Sequence, residues 1–299
     1  MNKNNLKIKI VIFGGSGFLG SHIADQLSEK NYTVHIFDKI KSRYLKKNQK
    51  MIIGDITNYN QVEKAIKKMN FVLHFAAVSD IDEANKNPMK TIKCNILGTT
   101  NILEAIRENK KVKKMIYASS IYARSKDGGF YSTSKRSTES IIENYYDNFK
   151  INFVILRFGS LYGTRSNFFN PINNYIKQAF KSKKIERFGE GSDIRSYINV
   201  KDAAKICINI MESQNKNKYF NILGKKRIEV KKIMQIIAKK MNVTKVSFKK
   251  EKNNSLHYKV NPFTYKVKNG IFIKTKNEIN LDEGINEMIS YYKTIERIK

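Results

Sequence analysis

An α/β fold, a doubly wound parallel sheet with a smaller C-terminal α/β domain, is what this sequence predicts. Three observations carry the prediction. Strand-like apolar runs alternate with helix-like segments through the first half, the pattern of a parallel sheet covered on both faces. The first run breaks into a glycine-rich turn at residues 14–20. The second run ends in an acid, Asp38. In order, Leu6–Phe13 is an apolar run that reads as a buried strand, and Phe18–Glu29 has helical spacing. Tyr32–Phe37 alternates, Lys50–Ile53 is a short strand, Tyr59–Met69 a helix and Phe71–Phe75 a strand. Pro88–Asn109 reads as one long helix, Lys114–Ser119 as a strand, Ser132–Phe149 as a helix and Ile151–Arg157 as a strand. In the less regular second half, Asn170–Ser182, Val230–Met241 and Asp282–Lys293 have helical spacing, with short strand-like pieces between them.

Composition narrows the function classes. With 299 residues, 41% apolar and 11% aromatic, the chain can bury a large core, which argues against disorder. The net charge is +31, from 47 Lys and 10 Arg against 26 acids. Recognition of phosphates and bases favours Arg forks, whereas Lys beside 33 Asn suggests codon bias and a diffuse charge. The densest stretch, 216–252, holds 13 basic and 2 acidic residues, but Ile233, Ile236 and Ile237 at helical spacing make its lysines a solvated face. No nucleic-acid partner is expected. No run approaches the roughly 18–20 apolar residues of a membrane span, and no signal-peptide pattern opens the chain, so no membrane partner and a cytoplasmic location are expected. Cys94 and Cys207 read as buried thiols, and His35 and His74 as core histidines. Four scattered histidines and two cysteines predict no metal site. Tyr145, Tyr146, Tyr291 and Tyr292 read as packing residues, and Asn170 and Asn199 as ordinary surface asparagines, with a contact to substrate as the alternative.

Gly14-Gly15-Ser16-Gly17-Phe18-Leu19-Gly20 follows a strand and opens a helix. Glycines permit a tight turn and close approach, and the helix N-terminus offers N–H groups to a pyrophosphate. Gly14, Gly17, Phe18, Leu19 and Gly20 are the expected contacts. Asp38 lies 18 residues past Gly20, where a carboxylate accepts the adenosine ribose hydroxyls. A 2′-phosphate would meet a like charge there, which favours NAD over NADP; Lys39, itself a candidate contact, Lys41 and Arg43 pull the other way. Tyr131-Ser132-Thr133-Ser134-Lys135 is a Y-x-x-x-K, whose ends share a helix face. An ammonium beside a phenol lowers its pKa and prepares it for general acid–base work. Lys114–Ser119 leads into Ser119-Ser120, which puts a hydroxyl at the carboxyl edge of the sheet. Residues 1–165 are thus expected to form a dinucleotide-binding Rossmann domain, with 192–222 returning to it, and 166–299 mainly a substrate-binding domain.

Together these pieces resemble the extended short-chain dehydrogenase/reductase family, in particular its NAD-dependent nucleotide-sugar epimerases and dehydratases. Gly54-Asp55-Ile56 looks like the family's adenine-contacting turn, and His74-Phe75-Ala76-Ala77 like the stretch along the cofactor. Asn95-Ile96-Leu97-Gly98-Thr99 looks like its N-x-x-G-T helix, and residues 157–163 like its R-x-x-N-V-Y-G segment. Residues 188–204 look like the signature whose arginine, here Arg195, binds the substrate diphosphate, and Leu281-Asp282-Glu283-Gly284-Ile285 like the L-x-E-G-I opening of the last helix. The resemblance implies Tyr131 as base, Lys135 as its ribose-binding partner and Ser120, in preference to Ser119, as the substrate hydroxyl clamp. It implies cofactor contacts at Asp55, Ile56, Phe75, Ala76, Ala77 and Asn95, substrate contacts at Ser160 and Arg195, a nucleotide-diphosphate sugar as substrate, a homodimer, and work in polysaccharide synthesis. Ala118-Ser119-Ser120-Ile121 lacks the acids that dehydratases carry there. Ser120 and Tyr131 are only 11 residues apart, and Ser160 replaces an Asn. The expected reaction is epimerisation, most simply at C4; a 4-ketoreductase or dehydrogenase uses the same residues, and a non-catalytic RNA- or protein-binding member is the third possibility.

Overall fold

The structure, a computed structural model, describes residues 8–125, 127–250, 257, 270–273 and 276–297. In chain order it runs β1 (Lys9–Phe13), α1 (Phe18–Glu29), β2 (Thr33–Asp38), β3 (Gln49–Ile53), α2 (Tyr59–Ile66) and β4 (Phe71–His74). Next come α3 (Ile81–Lys86), α4 (Pro88–Ile92), a π-helical turn at Lys93–Leu97 and α5 (Gly98–Glu108). Then follow β5 (Lys114–Ser120), a 3-10 turn at Ile121–Arg124, α6 (Gly129–Phe149), β6 (Phe153–Phe158) and β7 (Ser160–Tyr162). The second half holds α7 (Pro171–Ser182), β8 (Lys184–Phe188), β9 (Ile194–Asn199), α8 (Val200–Glu212) and β10 (Lys218–Ile222). It ends with β11 (Arg227–Glu229), α9 (Val230–Lys240), β12 (Lys245–Lys249), β13 (Ile271–Phe272) and α10 (Leu281–Arg297).

Eight strands form one sheet in the order β3-β2-β1-β4-β5-β6-β10-β13, and every neighbouring pair is parallel. The order reverses between β1 and β4, the switch point outside which ligands bind in open α/β sheets. Both faces are covered, so the central strands β1, β4 and β6 are almost wholly buried. Ile10 and Ile12 meet one layer, with Ile23 and Leu27 of α1 and Ala203, Cys207 and Met211 of α8. Val11 and Phe13 meet the other, with Val62 and Ile66 of α2, Ile102 and Ile106 of α5 and Ile142 of α6. A third core joins Ile172 and Ile176 of α7, Ile233 and Ile237 of α9, and Ile285 and Met288 of α10. Beside it lie a three-stranded sheet, β11-β9-β7, and a two-stranded one, β12-β8.

The helix expected over 88–109 is interrupted by the π turn and preceded by a separate short helix, α3. The α6 helix begins at Gly129 instead of Ser132, because Asn85 on α3 caps it: the Phe130 N–H donates to Asn85 Oδ1 at 2.9 Å. Tyr131 therefore stands in its first turn. Of the segment expected to return to the large sheet, α8 and β10 do so, while β9 pairs with β7 and β11. Asn170 and Asn199 cap α7 and α8, and Asn199 is buried. His35 is half-buried rather than core, and Cys94 is likewise only partly covered. Residues 6 and 7 of the first expected strand and residues 251 and 252 of the lysine-rich stretch lie outside the described residues. Among the described residues no helix is long and apolar enough to cross a membrane.

Candidate active site

The glycine loop lies at the carboxyl end of β1. Gly14 has φ +80°, and a Cβ there would lie 2.5 Å from the backbone nitrogen of Ala76. A Cβ on Gly20 would strike the Gly14 carbonyl. The loop therefore folds tightly against the strand end only without side chains, and it closes with the Gly17 N–H donating to the Gly14 carbonyl at 3.1 Å. The N-terminus of α1, led by Phe18, Leu19 and Gly20, has no side-chain cap and no acid in its first turn. Such an end suits a phosphate.

At the end of β2, Asp38 Oδ2 accepts the Ser16 N–H at 3.0 Å and its Oδ1 accepts the Ile40 N–H at 3.3 Å, tying the loop to the neighbouring strand. Lys39 ion-pairs with Asp55 at 2.9 Å. Ile56 is buried against the other face of the sheet. Phe75, Ala76 and Ala77 continue β4 and are half-buried beside Gly14. Asn95, expected at the cofactor, is buried in the π turn with its side chain turned inward. Its Oδ1 accepts the Val78 N–H at 2.7 Å, and its Nδ2 donates to the Val78 carbonyl at 3.1 Å and to Ser134 at 2.9 Å. It latches the strand-to-helix loop to α6. The glycine loop, Asp38 and Phe75–Ala77 thus lie at the carboxyl ends of β1, β2 and β4.

Ser120, Tyr131 and Lys135 meet at the next strand end. Ser120 lies beside the Tyr131 phenol and favours its ionised form. Ser120 Oγ also accepts the Tyr122 N–H at 3.2 Å. Buried Lys135 donates from Nζ to the Ala118 carbonyl at 2.7 Å and lies 4.8 Å over the ring of Tyr117. Burial pushes its ammonium down to about 8, with Cys94 and Glu139 opposing the shift. The lowering expected for Tyr131 is not what the protein produces: burial raises its phenol, and Ser120 only partly offsets this. The physical reason is that desolvation disfavours the phenolate more than the nearby groups favour it. Beneath Tyr117 stacks His74, whose Nε2 is 2.9 Å from Thr99 Oγ1. Burial first, and then Lys135, lower it to about 3, so it is a neutral floor.

Ser160 is half-buried on β7 opposite Tyr197. Arg195 is buried on β9, donating to the Ile194 carbonyl at 3.1 Å with Asp193 3.8 Å away. Sequence reasoning missed three groups. Asn85 caps α6; the Asp80-x-x-Glu83 capping pattern signals α3, and Asp80 Oδ1 does accept the Glu83 N–H at 2.7 Å. His257 Nδ1 lies 2.9 Å from the Tyr122 hydroxyl, and the Tyr122 ring meets Tyr131 edge-on at 6.1 Å. No local signal announces a contact across 135 residues. Glu139, with Arg124 and Arg157, forms a buried charged cluster behind the serines.

Comparison with known proteins shows the family. Residues 10–222 match the model of the NAD dependent epimerase/dehydratase family. A Methanocaldococcus jannaschii protein named "Putative UDP-glucose 4-epimerase" is 28% identical over 96% of this chain and 99% of its own. The dTDP-D-glucose 4,6-dehydratase of Dictyostelium discoideum is 30% identical over 74% of this chain and 59% of its own. In fold, the chain is similar to the UDP-glucose 4-epimerase of Thermotoga maritima, solved with UDP-glucose. The TM-score is 0.85 at 22% identity, over 97% of this chain and all of that one.

Proposed function

Because the chain belongs to the NAD dependent epimerase/dehydratase family, we propose that it is a nucleotide-sugar epimerase acting at C4 through a keto-sugar intermediate. The observation that carries this reading is a serine, Ser120, beside Tyr131 at a strand end with no carboxylate among residues 118–122. A dehydratase must protonate a leaving hydroxyl and remove a neighbouring proton, which asks for acids at that place. In the proposed reaction Ser120 holds the substrate hydroxyl and Tyr131 takes its proton. Lys135 orients the cofactor ribose and keeps positive charge near the phenol. Arg195 holds the substrate diphosphate and Ser160 lines the sugar's approach. Bound NAD would supply a reversible hydride acceptor, regenerated in each turnover. The return of the proton from Tyr131 after the sugar has turned over completes the inversion. Asp38 supports NAD over NADP, and the pairing of Lys39 with Asp55 supports the same choice by engaging the nearest cation. A homodimer is part of the reading: Met89, Ile92 and Leu97 along α4 and the π turn, and Phe130 and Phe149 at the two ends of α6, are exposed apolar side chains that a second copy would cover.

Mass spectrometry of the small molecules released by heat, followed by incubation with UDP-glucose, tests the proposal. Expected are stoichiometric NAD and an isomeric product of unchanged mass, with no net change in reduced cofactor. A product lighter by one water, or consumption of NADPH, would overturn it.

A further inference from the structure

We propose that Glu139 is a positioning residue of the Ser120–Tyr131–Lys135 centre: its buried carboxylate holds Ser119 and so directs the neighbouring Ser120 hydroxyl to Tyr131. The inference rests on the reading of Tyr131 as the base. Ser119 and Ser120 are chemically identical neighbours, and nothing in Ala118-Ser119-Ser120 says which one serves the substrate. The structure separates them. Ser119 Oγ donates to Glu139 Oε1 at 2.6 Å. That bond engages the hydroxyl on the α6 side of the sheet, the side that buried Tyr117, two residues earlier, also faces. Ser120, one residue on, makes no bond to Glu139; its hydroxyl accepts the Tyr122 N–H and lies beside the Tyr131 phenol.

Glu139 ties together the pieces that place the centre. Its Oε1 also accepts Arg157 Nε at 2.9 Å, and its Oε2 accepts Arg157 Nη2 at 2.8 Å and Arg124 Nη2 at 2.9 Å. Ser119 is the next-to-last residue of β5, Arg157 stands opposite it on β6, and Arg124 closes the 3-10 turn that follows Ser120. All three lie at the carboxyl edge of the sheet. Glu139 itself stands one helical turn after Lys135 on the same face of α6. The cluster is almost completely buried, with Glu139 and Arg157 each 2% exposed. Arg157 is stacked 4.4 Å from the Tyr219 ring, and Tyr219 in turn donates to Glu143. Two guanidiniums and a carboxylate are a costly way to hold three elements together, since apolar residues of like volume often do as well or better for stability. What apolar residues lack is direction. A carboxylate with four donors fixes the rotamer of a serine, and with it the path of the strand end that carries the next hydroxyl. The same anion favours the charged form of Lys135.

Ser119→Ala breaks the link at its less costly end, removing one hydrogen bond and leaving the ion cluster whole. The first readout needs neither substrate nor cofactor: the Cζ resonance of Tyr131, assigned by its loss in Tyr131→Phe, is titrated by NMR. With Ser120 released, the midpoint of Tyr131 should rise by about half a unit to one unit, because the Ser120 hydroxyl that lowers it is displaced. With UDP-glucose as probe, kcat should fall about tenfold at unchanged KM, as expected for a misplaced catalytic group. Ser119→Thr, which keeps the hydroxyl, should restore both. A role confined to stability would lower the melting temperature and leave the Tyr131 midpoint and kcat where they were, and that result overturns the inference. If Tyr131→Phe turned over at the wild-type rate, the reading of the base would fail, whatever the titration of Ser119→Ala had shown.

Discussion

The two halves of the molecule encode their roles differently. The proposed cofactor site is built from neighbours in sequence: seven consecutive residues make the glycine loop, and an acid closes the adjacent strand. The proposed substrate side is assembled from distant pieces. Ser160 on β7 and Arg195 on β9 belong to one small sheet only because those strands pair, and His257 reaches Tyr122 across 135 residues. Generic chemistry, binding a diphosphate and moving a proton, can be written locally and kept. On the proposed reading, selectivity for one sugar rests on tertiary contacts, which can change without disturbing the first half.

That contrast predicts a split in how variants fail, beginning with the largest effect. Tyr131→Phe should cut kcat by about 10²–10⁴-fold while leaving NAD binding nearly intact, measured by steady-state kinetics and cofactor titration. A rate above a tenth of wild type would remove Tyr131 from the chemistry. Next, Gly20→Ala should weaken NAD by at least about tenfold, because its methyl meets the Gly14 carbonyl and the loop must open. Calorimetry with NAD reads this directly, and unchanged affinity would mean that the cradle is elsewhere. On the other side, Arg195→Ala should raise KM for a nucleotide sugar by about 10–100-fold, with NAD affinity unaltered. A change in NAD affinity of similar size would erase the division between the halves.

The smallest effect concerns the whole fold. Lys114 and Lys135 are both pushed down by burial to about 8, below the ordinary lysine value. Between that value and the unfolded pKa of about 10.4, the unfolded chain binds more protons, so stability should rise with pH across that window. Above about pH 10 the sign reverses. Tyr131, Tyr32 and Tyr219 are raised, chiefly by burial, and stay protonated in the fold while the unfolded phenols ionise. Urea melts across pH 7–11 should therefore show a shallow maximum near pH 9–10, and a steady decline from pH 8 would contradict the lysine contribution.

The sequence was most legible where structure is local and repeated. The strand–glycine–helix unit at 9–29, Asp38 at a strand end and Tyr131 with Lys135 on one helix follow from spacing alone. The π turn was invisible, because one extra residue in a turn barely disturbs apolar periodicity over 88–108. The α3 helix is only 6 residues long, too short for a period to show, and only its cap announced it. The short strands β7, β9 and β11 have no pattern of their own and exist through pairing. Glu139 was unreadable for another reason. Lys135 and Glu139 at i and i+4 look like an exposed helix pair, and only the fold reveals that two arginines from elsewhere bury that carboxylate. The pKa of Tyr131 was misjudged for the same reason: the sequence shows the lysine but not the depth of the site.

The outer strands of the large sheet have a consequence for how the protein is made. β6 ends at Phe158, but its partner β10 begins only at Lys218, and β13 follows at Ile271. On the ribosome, the nascent first half must wait with an open, apolar edge until some sixty more residues have emerged. The elements of the third core are thus interleaved in sequence with the outer strands of the large sheet. Cutting the gene after residue 165 would deliver a sheet still missing its border, so the two halves are expected to be inherited, expressed and folded as one piece.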